Sequence, residues 1–116
     1  AKLRRWLYAS GWNIADETLA YAGGHLYEII RAERGTAEMP DDVFLHIGAC
    51  LFEKRDPLLE AHIEAKAAKL ARAAEGMHAS IAARQSEEYR ETVSLLTALR
   101  TLLVLCRAPQ AEPPRQ

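Results

Sequence analysis

Two pairs of residues have the types and spacing that chemistry on a helical scaffold would need. Arg55 and His62 stand seven residues apart, which is two helical turns, so both side chains could face one groove. In such a groove an arginine could stabilise a phosphorane while a histidine moves a proton. Pro57 lies between the two, and the alternative is a capping arginine and an unrelated surface histidine. We predict the alternative, and therefore no catalytic residue.

Glu75 and His78 lie three residues apart, as ligands do in the carboxylate-bridged metal sites of helical bundles. Such a site also needs further inward carboxylates and a second Glu-x-x-His motif, and the sequence has only one copy. The chain shows no glycine-rich phosphate loop, no Cys-x-x-Cys pair and no nucleophile with an evident base. We therefore predict no metal, no cofactor and no enzyme activity.

The composition is that of one globular domain without a strong electric field. The 116 residues are 49% hydrophobic and 27% charged, with a formal net charge of -1, so no global positive potential attracts nucleic acid. Cys50 and Cys106 sit in apolar runs, which is typical of buried thiols in a reducing compartment. The longest apolar run, 102–106, is too short to span a membrane. These features predict a cytoplasmic protein with no membrane contact.

The first half of the chain predicts four short helices. One covers 2–10 and stops at Gly11, and a second opens at Asp16 and ends at Gly23-Gly24. A third covers 25–34, with apolar residues at helical spacing, and ends at Gly35. A fourth starts at Pro40-Asp41 and is apolar around most of its girth.

The second half predicts long helices. Ten alanines lie between residues 61 and 84, and apolar residues alternate there at spacings of four and three, which is a heptad seam. Its partner is either 86–107 folded back as a hairpin or the same helix of a second subunit, and we favour the homodimer. The expected dimer-interface residues are Ile63, Ala67, Leu70, Ala74, Met77 and Ile81.

No strand-like alternation of four or more residues is evident, so the predicted fold class is all-α. We expect a short helix-turn-helix four-helix domain at 1–56, followed by long antiparallel, coiled-coil-like helices at 57–107 that form a dimerisation or effector module. Residues 108–116 are rich in proline and poor in apolar side chains, which predicts a flexible tail.

The order of these features resembles the phage-repressor (Cro-like, XRE-like) helix-turn-helix family over about residues 2–59. The resemblance rests on Ala22-Gly23 at the turn, His25 at the start of a recognition helix, Ile29 as its anchor and Glu33-Arg34-Gly35 at its end. Pro40, Ile47 and Leu51 follow in the positions of the family's core helix. A recognition helix of this kind would enter the major groove of double-stranded DNA.

The resemblance implies a DNA-binding transcriptional regulator of prokaryotic or phage type that binds as a dimer. His25, Tyr27 and Glu28 would then face base edges, and Arg31, Arg34, Arg4 and Arg5 would contact phosphates. The alternative is an all-α protein-interaction module, adaptor or structural, that does not bind DNA. It is motivated by the neutral charge and by a face carrying Leu26, Tyr27 and Glu28 that would bind another protein. An apolar patch of several hundred Å² would favour this second interpretation.

Overall fold

The computed structural model describes residues 1–108, which form a β-hairpin packed on a set of helices. Helix α1 (Lys2–Ala9) precedes strands β1 (Trp12–Ala22) and β2 (His25–Arg34). Within the described residues, five helices follow the hairpin: α2 (Asp42–Ile47), α3 (Ala49–Glu53), α4 (Leu59–His78), α5 (Ile81–Arg84) and α6 (Glu87–Arg107). The predicted flexible tail, 108–116, lies outside the described residues except for Ala108.

The hairpin corrects the all-α prediction. Strands β1 and β2 pair in antiparallel register, with Ala22 opposite His25 across a two-residue loop. Gly23 and Gly24 have φ of 57° and 78°, and two consecutive positive φ values are what the favoured hairpin turn requires. The segments predicted as the second and third helices, including the supposed recognition helix, are therefore strands.

An irregularity in β1 decides which side chains point inward. The register shifts between Ile14 and Asp16, as in a β-bulge, and Ile14, Glu17 and Leu19 are consequently the buried residues of the strand. Directly paired residues share a face, so Glu28 lies beside Leu19 and Ile30 beside Glu17 on the inner side. The hairpin thus turns two carboxylates towards the helices.

The predicted fourth helix is divided at Gly48, whose φ of 102° is not helical. Beyond it, Arg55 has a φ of 52°, a left-handed conformation that is uncommon for residues other than glycine. The Arg55 guanidinium donates a hydrogen bond to the Leu105 carbonyl at 2.9 Å and lies over the Phe52 ring at 4.8 Å from its centroid. These contacts join the end of α3 to the end of α6.

Helices α4 and α6 form a helical hairpin that carries most of the apolar seam. The polar run at 84–88 contains the turn, as the sequence predicts, and serines cap the helices on either side of it. Ser80 accepts a hydrogen bond from the Ala83 amide at 3.3 Å, and Ser86 accepts one from the Tyr89 amide at 3.1 Å. The long helix predicted for 57–84 is therefore shorter, and α5 forms part of the connection.

One apolar core joins both halves of the chain. Leu19, Ile47 and Leu51 from the first half pack with Leu59, Ile63, Leu99 and Leu102 from the second half. Asp56 sits at the junction, where its carboxylate accepts hydrogen bonds from the Leu19 amide at 3.2 Å and the Leu58 amide at 2.9 Å. The proposed division of the chain at residue 56 thus lies within a shared core.

Over residues 1–108, no helix has both the length and the apolar content that crossing a membrane would require.

Candidate functional site

A buried network of charged side chains lies between the hairpin and the helices. Arg4 on α1 is 2% exposed, and its guanidinium contacts the Glu17 carboxylate at 2.7 Å and the Glu28 carboxylate at 3.0 Å. It also donates to the carbonyl oxygens of Leu45 at 3.3 Å and His46 at 3.4 Å. Arg4 therefore connects α1, both strands and α2.

Glu17 is the most buried acid of this network, at 2% exposure. One of its carboxylate oxygens accepts a hydrogen bond from the Cys50 amide at 3.2 Å, at the start of α3. The backbone of Gly48 approaches so closely that a Cβ placed there would lie 2.8 Å from Glu17 Cδ and 2.9 Å from Arg4 Nη2. Only glycine leaves room for this ion pair, and its positive φ independently favours glycine.

Glu28 lies between Arg4 and His62. The His62 Nε2 atom, on α4, is 3.1 Å from Glu28 Oε1. Partial burial raises the pKa of the Glu28 carboxyl, but its contacts with His62 and Arg4 outweigh this and lower the pKa from 4.5 to about 2. Glu28 is therefore a carboxylate throughout the physiological pH range.

The network opens onto a groove between β2 and α4, which we call the β2–α4 groove. Glu28 and His62 line its inner part, and Lys66 and Lys69 follow one and two turns further along α4. Leu26 and Ala65 supply apolar walls. The lining of the groove thus combines a carboxylate, a buried imidazole and two lysines.

The residues predicted to bind DNA do not form a recognition surface. Arg4 is buried in the network, and Arg5 is paired with Asp42 at 2.8 Å on the surface. Arg34 lies over the Trp12 ring, 5.3 Å from its centroid, and Arg31 pairs in register with Asp16. His25 and Tyr27 contact each other edge to face near the hairpin turn. Arg4 and Glu28 of this set also meet, but as an ion pair of the network between the hairpin and the helices.

The seam residues pack mainly within the chain. Ile63 is fully buried, and Ala67 and Leu70 pack against the same core as α6. Ala74 and Met77 are half-buried towards the far end of the helical hairpin, whereas Ile81 is 68% exposed. The partner of the seam is thus α6 of the same chain, which was the alternative to the predicted homodimer interface.

The two pairs considered for chemistry are separated or differently engaged. Arg55 binds the Leu105 carbonyl, whereas His62 faces Glu28. Glu75 and His78 share a shallow groove, where His78 Nδ1 lies 3.2 Å from the Tyr89 hydroxyl. Within residues 1–108, no three potential metal ligands among His, Cys, Asp and Glu converge.

Comparison with known proteins identifies the class. The family model for tRNA (adenine(22)-N(1))-methyltransferase, TrmK, matches residues 1–98. The chain therefore belongs to the TrmK family of tRNA methyltransferases, and no curated protein matches it significantly. The match overturns the phage-repressor resemblance, the DNA-binding regulator, the non-enzymatic interaction module, the double-stranded DNA partner and the prediction of no enzyme activity.

Solved structures share the fold of this chain. A candidate tRNA (m1A22) methyltransferase of Streptococcus pneumoniae is 25% identical with a TM-score of 0.70, over 88% of this chain and 44% of that one. A Streptococcus agalactiae protein of the NADB-Rossmann superfamily is 20% identical with a TM-score of 0.69, over 87% and 42%. The Bacillus subtilis tRNA methyltransferase TrmK is 17% identical with a TM-score of 0.64, over 90% and 45%. The chain thus spans less than half the length of these relatives.

The Streptococcus pneumoniae protein has also been solved in complex with S-adenosyl-L-methionine. In open α/β folds such ligands bind in a crevice at the carboxyl ends of parallel strands. Within residues 1–108 the sheet has two antiparallel strands and no parallel pair. The described residues therefore do not fit the cofactor, and we derive no step through it.

The sequence reasoning missed Glu17, Gly48, Lys66 and Lys69. The signal that could have found Glu17 is the Gly23-Gly24 loop, since a hairpin register counted back from it pairs Glu17 with Ile30. Gly48 and the two lysines carry no comparable signal, because their partners are distant in sequence.

Proposed function

We propose that the chain acts in N1-methylation of adenine 22 of tRNA. The observation that carries this proposal is the family match, which extends from α1 through most of α6. The chain covers less than half of the solved relatives, so we assign it a part of the reaction. That part is to complete the protein's sheet through the hairpin and to contact RNA through the helical hairpin.

The free side of β2 supports the structural half of this proposal. Within residues 1–108, β2 pairs only with β1, so its other edge presents unpaired backbone groups. The outer face of the hairpin carries Tyr27 and Ile29, which are 52% and 54% exposed. Isolated two-stranded hairpins are marginally stable, and open edges are templates for further strands. We propose that this edge joins a larger, Rossmann-like sheet.

A tRNA substrate also fits a cytoplasmic location. Cys50 and Cys106 are free thiols, as is usual in a reducing compartment. We therefore propose that the protein works in the cytoplasm.

The test is a chimera in which residues 1–108 replace their equivalents in the Streptococcus pneumoniae relative. Purified chimera is incubated with S-adenosyl-L-methionine and a tRNA that carries adenine 22, and 1-methyladenosine is measured by mass spectrometry of nuclease fragments. We expect methylation at position 22 and none in a matched tRNA with guanine there. A folded chimera that binds S-adenosyl-L-methionine but leaves adenine 22 unmodified would refute the proposal.

A further inference from the structure

His62 stands where the β-hairpin meets the helical hairpin of α4 and α6. The β-hairpin packs mainly on α1 and α3 through β1, whereas α4 packs mainly on α6. Within residues 1–108, the one polar side-chain contact between β2 and α4 joins His62 Nε2 to Glu28 Oε1, at 3.1 Å. His62 is 4% exposed, so the imidazole is shielded from solvent. We call this contact the Glu28–His62 joint.

The sheet half of the joint is held in place by Arg4. Its guanidinium contacts the Glu28 carboxylate at 3.0 Å and donates to the carbonyl oxygens of Leu45 and His46 on α2. Arg4 is 2% exposed, and the Glu17 carboxylate of β1 also pairs with it, at 2.7 Å. Glu28 is therefore fixed relative to α1, α2 and β1, and the joint transmits that position to α4.

The apolar core beside the joint does not by itself define the angle of α4 on the sheet. Leu59 and Ile63 of α4 belong to the same core as Leu19 of β1. Apolar burial is non-directional and roughly proportional to the area removed from water, so a small tilt of α4 changes it little. A carboxylate that faces an imidazole at 3.1 Å loses its partner with the same tilt, because polar contacts weaken steeply with distance and angle. The joint is therefore the more sensitive determinant of the angle.

The place of His62 on α4 makes a small tilt large at the far end of the helix. His62 lies in the first turn of α4, which runs on to His78. At about 1.5 Å per residue, the helix extends roughly 24 Å beyond His62. A tilt of about 10° at the joint therefore moves that end by roughly 4 Å. Such a displacement exceeds the misplacement of about 1 Å that is sufficient to slow an enzyme by about 100-fold.

We propose that His62 is a positioning residue, which sets the angle of the helical hairpin on the sheet through Glu28 and thereby aligns bound tRNA. The proposal rests on the proposed function, in which the helical hairpin contacts RNA and the β-hairpin completes a larger sheet. His62 touches no substrate, because its imidazole is enclosed by the protein. Without the imidazole, Glu28 keeps Arg4 as its partner, and α4 loses its polar tie to β2.

The first experiment measures the angle between the β-hairpin and α4 in the 116-residue chain, from residual dipolar couplings of the backbone amides. His62→Leu removes the polar contact with Glu28, and the angle should change by about 10°. His62→Gln should restore the wild-type angle, because its amide nitrogen takes the place of Nε2 as a donor. The matched control is His78→Leu on the same helix, because His78 contacts Tyr89 of α6 and lies far from β2, and it should keep the wild-type angle.

The second experiment measures methylation kinetics of the chimera described above. His62→Leu should lower kcat/KM for tRNA by about tenfold or more and leave the KM for S-adenosyl-L-methionine unchanged, and His62→Gln should recover most of the loss. Glu28→Ala breaks the joint from the other side and should change the angle in the same way, so the test stands even where His62→Leu does not fold.

A folded His62→Leu or Glu28→Ala chain with the wild-type angle would overturn the proposal. An altered angle combined with an unchanged kcat/KM for tRNA would also overturn it. A chimera that is inactive before any substitution contradicts the proposed function instead, and the angle in the 116-residue chain still decides whether His62 acts as a joint.

Discussion

Arg4 offers the sharpest test of how the hairpin is held on the helices. Its side chain is 3% exposed and that of Glu17 is 1% exposed, so their ion pair is screened from water. Replacement by methionine in Arg4→Met preserves much of the volume and removes the charge. Glu17 would then retain only the hydrogen bond from the Cys50 amide, and Glu28 would retain only His62.

The expected cost follows from the burial of the acid that remains. Removing one partner of a buried ion pair typically destabilises a protein by about 3–5 kcal/mol, because the other charge stays uncompensated. That is a large part of the total stability of a small domain, which is on the order of 5–15 kcal/mol. The matched control, Arg5→Met, breaks a pair with Asp42 whose side chains are 53% and 60% exposed, and such pairs contribute about 0–1 kcal/mol.

Urea denaturation followed by circular dichroism measures both variants against the wild type. Arg4→Met should lose several times as much free energy of unfolding as Arg5→Met, with the dependence on urea unchanged. The double variant Arg4→Met/Glu17→Gln should recover part of the loss, because no charge remains buried without a partner at Glu17. The reasoning would be refuted by an Arg4→Met protein within about 1 kcal/mol of the wild type.

Three further predictions concern stability and use the same denaturation assay. Gly48→Ala should destabilise the protein by more than about 1 kcal/mol, because the φ of Gly48 is 102° and a Cβ there would meet Glu17. The control Gly76→Ala lies in open space on α4 and should stabilise the protein by roughly 0.5–1 kcal/mol. Equal effects of the two substitutions would contradict this prediction. Because the pKa of Glu28 is lowered from 4.5 to about 2, its contribution to the free energy of unfolding is present above pH 4.5 and is lost as the pH falls towards about 2. Over that pH range the free energy of unfolding of Glu28→Gln should therefore change less than that of the wild type. Parallel curves would contradict this prediction. Ile63→Ala should lower the free energy of unfolding by about 2–5 kcal/mol, because Ile63 is fully buried. Ile81→Ala should lower it far less, because Ile81 is 68% exposed. A similar loss for both variants would show that Ile63 does not lie in the core.

The helices outside the hairpin were largely predictable from local sequence. The amphipathic pattern of 2–10 and its stop at Gly11 correspond to α1, and the polar run at 84–88 corresponds to the turn before α6. Local patterns suffice there because each helix buries one stripe of its own surface. The division into α2 and α3 was not predicted, since Gly48 departs from helical φ to make room for the Arg4–Glu17 contact, which lies far away in sequence.

The hairpin was missed because its strands do not alternate cleanly. The bulge in β1 places the buried apolar residues Ile14 and Leu19 five positions apart, with Glu17 buried between them. In β2, Ile29 and Ile30 are adjacent and lie on opposite faces, so with Leu26 they imitate helical spacing. The Gly23-Gly24 loop was the one clear hairpin signal, and it was interpreted as a turn between helices.

The helix-turn-helix resemblance failed for the same reason, because it depended on the glycine turn and on a helix at 25–34. Once these residues form a strand, His25, Tyr27 and Arg31 no longer share a helical face that could enter a groove of DNA. The relation to methyltransferases rests on similarity along the whole segment rather than on any catalytic motif, so residue chemistry alone could not have revealed it.

The buried network also selects the register of the hairpin. A slip of β2 by one residue would turn Glu28 to the outer face, so that Arg4 and His62 would lose it as a partner and a neighbouring apolar side chain would turn inward. Apolar burial would tolerate such a slip, since Tyr27 and Ile29 could replace Leu26 and Ile30, but the ion pairs would not. Because His62 faces Glu28 only in the observed register, the contacts that hold the strand in place also set the walls of the β2–α4 groove.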